Sequence, residues 1–145
     1  MLEEHAGPYL VMALFCEKVL QEQNGVLSII RVVDQVNISG PLEEMQPTPI
    51  TLNVVISFKA GIARGKYRIR LRGHTPTQKE IPTMESSAYF EGEDRGVNLV
   101  LVVNMLLQEE GIFWFDVMLE DAVVTRMPLR ILYQRVATPG RPERS

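Results

Sequence analysis

The chain has 145 residues, 46% of them hydrophobic and 23% charged, and carries a net charge of −3. Length and composition are those of one globular domain with enough apolar surface for its own core, which excludes a fibrous or wholly disordered chain. The acidic balance argues against sequence-independent nucleic-acid binding as the main task, but leaves room for a local basic patch.

The N-terminus places Glu3 and Glu4 ahead of the apolar run "PYLVMALFC". A secretory signal would carry positive charge there, and the run is too short to span a bilayer. Residues 97–107 are also apolar, but Asn98 and Asn104 interrupt them. The expectation is a cytoplasmic protein with no transmembrane segment.

The segment 8–22 admits two readings. As a helix, Met12, Phe15, Cys16, Val19 and Leu20 follow the i, i+3, i+4 spacing. As a strand, it pairs with 26–38 through Asn24-Gly25, a dipeptide that tolerates positive φ and favours hairpins. The strand is preferred. In "VLSIIRVVDQVNI" (26–38) both alternating sets are rich in β-branched residues, which predicts a central strand buried on both faces.

Residues 39–49 form a proline-containing loop. Strands are then expected at 50–60 and 66–74, joined by the turn "GIARG". Residues 79–92 hold a strand broken by Pro82, which suits a sheet edge. Further strands are expected at 97–107, 112–120 and 123–134. The tail 137–145 is polar and is expected to be disordered.

Seven or eight short strands, with turn signals between them, predict an all-β fold. The expected form is a single antiparallel β-sandwich, immunoglobulin-like or C2-like, over residues 1–136.

The most conspicuous polar pattern is "GKYRIRLRG" (65–73). Alternation places Lys66, Arg68, Arg70 and Arg72 on one face of a strand, with Arg64 adjoining. Such a stripe could bind an anion such as nucleic acid or phospholipid, or orient an acidic protein. The plainer alternative is a solvated face with acidic cross-strand partners. In "IFWFDVMLE" (112–120), Phe113, Phe115 and Val117 share one side, and Ile112, Trp114 and Met118 the other. Either both sides are buried, or the Trp114 side is an exposed patch that anchors a partner or a second copy.

Catalytic signals are weak. Cys16, the one cysteine, lies in an apolar run and reads as a small hydrophobe. It cannot form an internal disulfide. His5 and His74 are far apart and lack ligand spacing. "GIARGKY" departs from a phosphate loop in glycine spacing and lies between two strands. "EGEDRG" (91–96) offers too few oxygens for calcium. No catalytic residue, metal or cofactor is assigned.

The blocks "ALFCEKVLQEQNGVLSIIRVVDQV" (13–36), "GKYRIRLRGHTPT" (65–77) and "GIFWFDVMLEDAVVTRMPLRILYQ" (111–134) resemble a family of small bacterial proteins catalogued as a domain of unknown function. The resemblance spans most of the chain. It implies a bacterial β-domain and brings no catalytic residues with it. The expected function is therefore a non-catalytic binding or assembly module for a protein partner or for self-association. Trp114 would be its anchor, and Lys66, Arg68, Arg70 and Arg72 would orient the partner. Anion recognition by the same basic face is the alternative.

Overall fold

The computed structural model describes residues 7–136. Nine strands run in the order β1 (Tyr9–Gln21), β2 (Leu27–Val33), β3 (Gln35–Gly40), β4 (Thr48–Lys59), β5 (Arg64–His74), β6 (Glu80–Glu91), β7 (Gly96–Leu107), β8 (Gly111–Leu119) and β9 (Ala122–Arg135). They form a four-stranded sheet, β2-β1-β4-β7, and a five-stranded sheet, β3-β9-β8-β5-β6. The fold is all-β, as the alternation predicts. The expected tail 137–145, and His5, lie outside the described residues.

Residues 8–22 are strand, not helix: β1 pairs antiparallel with β2 through the Asn24-Gly25 hairpin. Gly25 has a φ of 80°, and its N–H donates to Glu22 O at 2.9 Å. The Asn24 side chain accepts a hydrogen bond from Val26 N at 3.2 Å.

One expectation needs correction. Residues 26–38 are not one central strand. β2 is an edge of the four-stranded sheet, and β3 is an edge of the other. The chain changes sheets at Asp34, whose carbonyl accepts a hydrogen bond from Arg130 N at 3.1 Å. Ile30 and Val32 are exposed in β2, whereas Val36 and Ile38 pack against the core from β3. The apolar residues on both alternating sets thus serve two different sheets. This change of sheet also makes the strand count nine. It makes the β3–β9 pairing parallel, so the sandwich is antiparallel everywhere except at that edge.

Pro82 sits on the edge strand β6, as expected. The register there moves from Leu71↔Met84 to Gly73↔Ile81, so Pro82 and Thr83 together oppose Arg72. Such a bulge on an edge strand accommodates proline, whose missing N–H breaks no interior ladder.

The core lies between the sheets. Leu52, Val54, Ile56 and Phe58 of β4 face Phe113, Phe115 and Val117 of β8, with Phe15, Phe90, Leu129 and Ile131 around them. Phe15 meets Phe115 edge-to-face with centroids 5.0 Å apart, and Phe58 meets Phe90 at 6.1 Å. Burying each such side chain contributes about 1.5–3 kcal/mol, so this layer holds the two sheets together.

Candidate protein-binding face

The outer face of the five-stranded sheet carries the basic stripe. β5 is paired on one side with β6 and on the other with β8, so its cations lie between two strands. Acidic groups from both sides meet them. Arg68 Nη2 and Arg70 Nη2 reach Asp121 Oδ1 at 3.1 and 3.3 Å. Arg68 Nε lies 3.6 Å from Glu85 Oε1. Arg70 Nη2 also donates to the Glu120 carbonyl at 2.9 Å. The Glu120 carboxylate accepts a hydrogen bond from the Arg68 backbone N–H at 2.8 Å.

The stripe is therefore largely a face with acidic cross-strand partners. The arginines lie low against the sheet: the Nε atoms of Arg68, Arg70 and Arg72 are buried and make no hydrogen bond among the described residues. Lys66, opposite the exposed Tyr89, makes no ion pair among the described residues. Arg64 belongs elsewhere, 3.9 Å from Glu93 at the β6–β7 turn.

The far end of the stripe is built differently. Register aligns Arg72, Asp116 and Arg126 across β5, β8 and β9. Asp116 is buried, and its two oxygens are divided between the two arginines. Arg72 Nη2 lies 3.1 Å from Oδ2, and Arg126 Nε lies 3.2 Å from Oδ1. One residue pair along, His74, Trp114 and Pro128 align in the same way.

Trp114 is 43% exposed, while Met118, further along the same side of β8, is buried. The outer side of β8 is thus neither wholly buried nor wholly open, but is uncovered at Trp114. Arg72, His74, Gln78, Trp114, Asp116 and Arg126 line an open depression of about 390 Å³. The structure brings Arg72 and Trp114 together, places Arg68 and Arg70 further along the same face, and leaves Lys66 at its other end.

Asp116 and Arg126 were not singled out by sequence reasoning. The signal was present, because Asp116 is the one acid inside an aromatic strand, and such an acid needs a cation.

Other candidates separate from this face. Cys16 is fully buried, and burial pushes its thiol above the ordinary value, against a smaller lowering effect from a backbone hydrogen bond at Lys18. A thiol buried in this way is a poor nucleophile. Among the described residues, no group of three or more His, Cys, Asp or Glu side chains could hold a metal ion. Among them, too, no helix is long and apolar enough to cross a membrane.

Fold and face together define a two-sheet β-sandwich with a charged, tryptophan-bearing outer surface. The chain belongs to the Family of unknown function (DUF6941), whose model matches residues 11–132. No curated protein matches it significantly.

Among solved structures, the chain is similar to part of a β-glucosidase from Listeria innocua in complex with glucose. The TM-score is 0.51 and the identity 12%, covering 83% of this chain but 16% of the glucosidase. That likeness shows the sandwich fold alone. An immunoglobulin-like protein from Pseudomonas aeruginosa is also similar, with a TM-score of 0.45, 11% identity, and coverage of 87% of this chain and 97% of that one.

Proposed function

We propose that the protein is a non-catalytic binding or assembly module that docks a protein partner on the outer face of its five-stranded sheet. The carrying observation is the half-exposed Trp114 beside two arginines that a buried carboxylate holds in place. Tryptophan and arginine are the residues that most often dominate protein interfaces. Asp116 restrains Arg72 and Arg126 before any partner arrives, so less side-chain freedom is lost on binding. Arg68 and Arg70 then act on the approach and orientation of an acidic partner, not as its anchors. Cys16, fully buried, is not placed to act as a nucleophile.

Anion recognition by the stripe is the weaker reading. Three of its four cations are already engaged by carboxylates, so a phosphate would have to compete with them.

The test is affinity capture from native lysate with wild type and Trp114→Ala, both confirmed folded by circular dichroism. A specific protein retained by wild type and reduced about tenfold or more by Trp114→Ala supports the face, since a central tryptophan typically contributes 2 kcal/mol or more. Equal recovery by both counts against it. Recovery abolished by nuclease treatment favours the anion reading.

A further inference from the structure

The outer face of the four-stranded sheet is built in the opposite way. Alternation sends Leu52, Val54, Ile56 and Phe58 of β4 inward. Thr51, Asn53, Val55 and Ser57 therefore point outward. Register then defines rows across the sheet. Met12 aligns with Ser57 and Asn98, Leu14 with Val55 and Val100, and Val32 with Cys16, Asn53 and Val102. Ile30 and Leu106 lie further along on the same face. Among the outward positions of 12–20, 28–32, 51–59 and 98–106, the charged residues are Lys18 and, at one end, Lys59.

Two properties distinguish this face from a solvated sheet surface. Its middle is apolar: Cys16 and Val55 have no exposure although they lie outside the core cluster, and Val32 and Val102 stand open at 62% and 49%. Part of its uncharged polar complement is also paired within the protomer. Thr51 Oγ1 donates to Asn104 Oδ1 at 2.7 Å, Ser57 Oγ to Asn98 Oδ1 at 2.5 Å, and Asn53 Nδ2 to Glu17 O at 3.0 Å. Covering such a surface removes apolar area from water and leaves the side-chain amides of Asn98 and Asn104 to be paired across the contact.

We propose that a second copy of this chain packs face to face on this sheet, giving a two-fold dimer. The argument for that occupant is area and chemistry together. Strands about 4.8 Å apart, with five outward rows about 6.8 Å apart of which β2 reaches three, give a footprint of about 590 Å². A standard stable interface takes about 800 Å² from each partner, and corrugated side chains offer more area than their flat footprint. A charge-poor face gives a charged partner nothing to pair with. A second copy brings a surface of the same extent and the same scarcity of charge, as an isologous contact requires. Two such sheets pack about 10 Å apart, as the layers of a sandwich do. Lys18 sits beside Ile30 in the row next to the end of the face, so its long stem can run toward that end, whereas Val32 and Val102 lie in the middle row, out of such reach. This surface is distinct from the Trp114 face, so the two readings stand or fall separately.

Sedimentation velocity of the full chain over a concentration series decides it. Wild type is expected to approach twice its 16.4 kDa at tens of micromolar. Val32→Lys and Val102→Lys, at open positions on opposite edge strands, are expected to raise the dissociation constant about 100-fold or more, because each sets an unpaired charge in the contact. Val123→Lys, on the five-stranded sheet, is expected to leave the dimer intact. Where a lysine prevents folding, Val32→Thr or Val102→Thr takes its place, with weakening of about tenfold expected. A wild type that stays monomeric at hundreds of micromolar overturns the proposal. So does a dimer indifferent to both Val32 and Val102.

Discussion

Asp116 is the side chain on which the candidate face most depends, because it fixes two arginines that nothing else holds among the described residues. Its removal does not carry the full penalty of breaking a buried pair, since Arg72 and Arg126 are 40% and 68% exposed and can turn to water. Asp116→Ala is therefore expected to cost about 1–2 kcal/mol in urea unfolding, and Arg126→Ala less than about 0.5 kcal/mol. Equal losses from the two would mean that Asp116 is an ordinary surface acid. The stripe itself was legible from alternation, because period two determines which side chains share a face. Its acids were not. Arg72 and Asp116 are 44 residues apart, and only the β5–β8 register makes them neighbours. That register depends on turn lengths and a bulge that no local pattern reveals.

At the scale of the element, β5 shows how a bulge and a glycine work together. Gly73 lies beside the register shift to β6, and a Cβ there would stand 2.8 Å from Phe115 Cε1 and 3.0 Å from Ile81 Cδ1. The Phe115 ring is locked in the core against Phe15, so it cannot move aside. Gly73→Ala is expected to destabilise by about 1–3 kcal/mol, measured by chemical denaturation, through overpacking and not through lost contacts. An unchanged midpoint would show that the core has slack there. The strands around it were readable: the Asn24-Gly25 hairpin, the edge position of Pro82 and the closing β8–β9 hairpin all follow from local chemistry. The segment 26–38 was misread because a strand that changes sheets reverses which alternating set faces the core. Ile30 and Val32 then look like a second buried face when they are an open one. A single polar residue at the crossing, Asp34, was the available clue.

For the molecule as a whole, strand number and spacing made the sandwich legible, while its two outer faces could not be ranked from sequence. The arginine stripe drew notice because charge is conspicuous. The apolar face of the four-stranded sheet did not, because β-branched residues there read as core. The structure reverses the emphasis: the conspicuous face is mostly neutralised internally, and the quiet one has no cover among the described residues. A dimer formed on the quiet face couples association to folding, because the unfolded chain has no such surface. Mass action then makes thermal stability depend on concentration. For a dimer melting to unfolded monomers, each tenfold rise in concentration adds about 0.7 kcal/mol per protomer. Against an unfolding entropy of about 0.3 kcal/mol/K for a chain of this length, the midpoint should rise by about 2 °C. Scanning calorimetry of wild type at two concentrations a hundredfold apart should therefore show a shift of about 4 °C. Val102→Lys should show a midpoint that does not move, and Trp114→Ala should behave as wild type. A flat wild-type response would leave the four-stranded face without a second copy. A shift lost in Trp114→Ala would move the self-association to the opposite sheet.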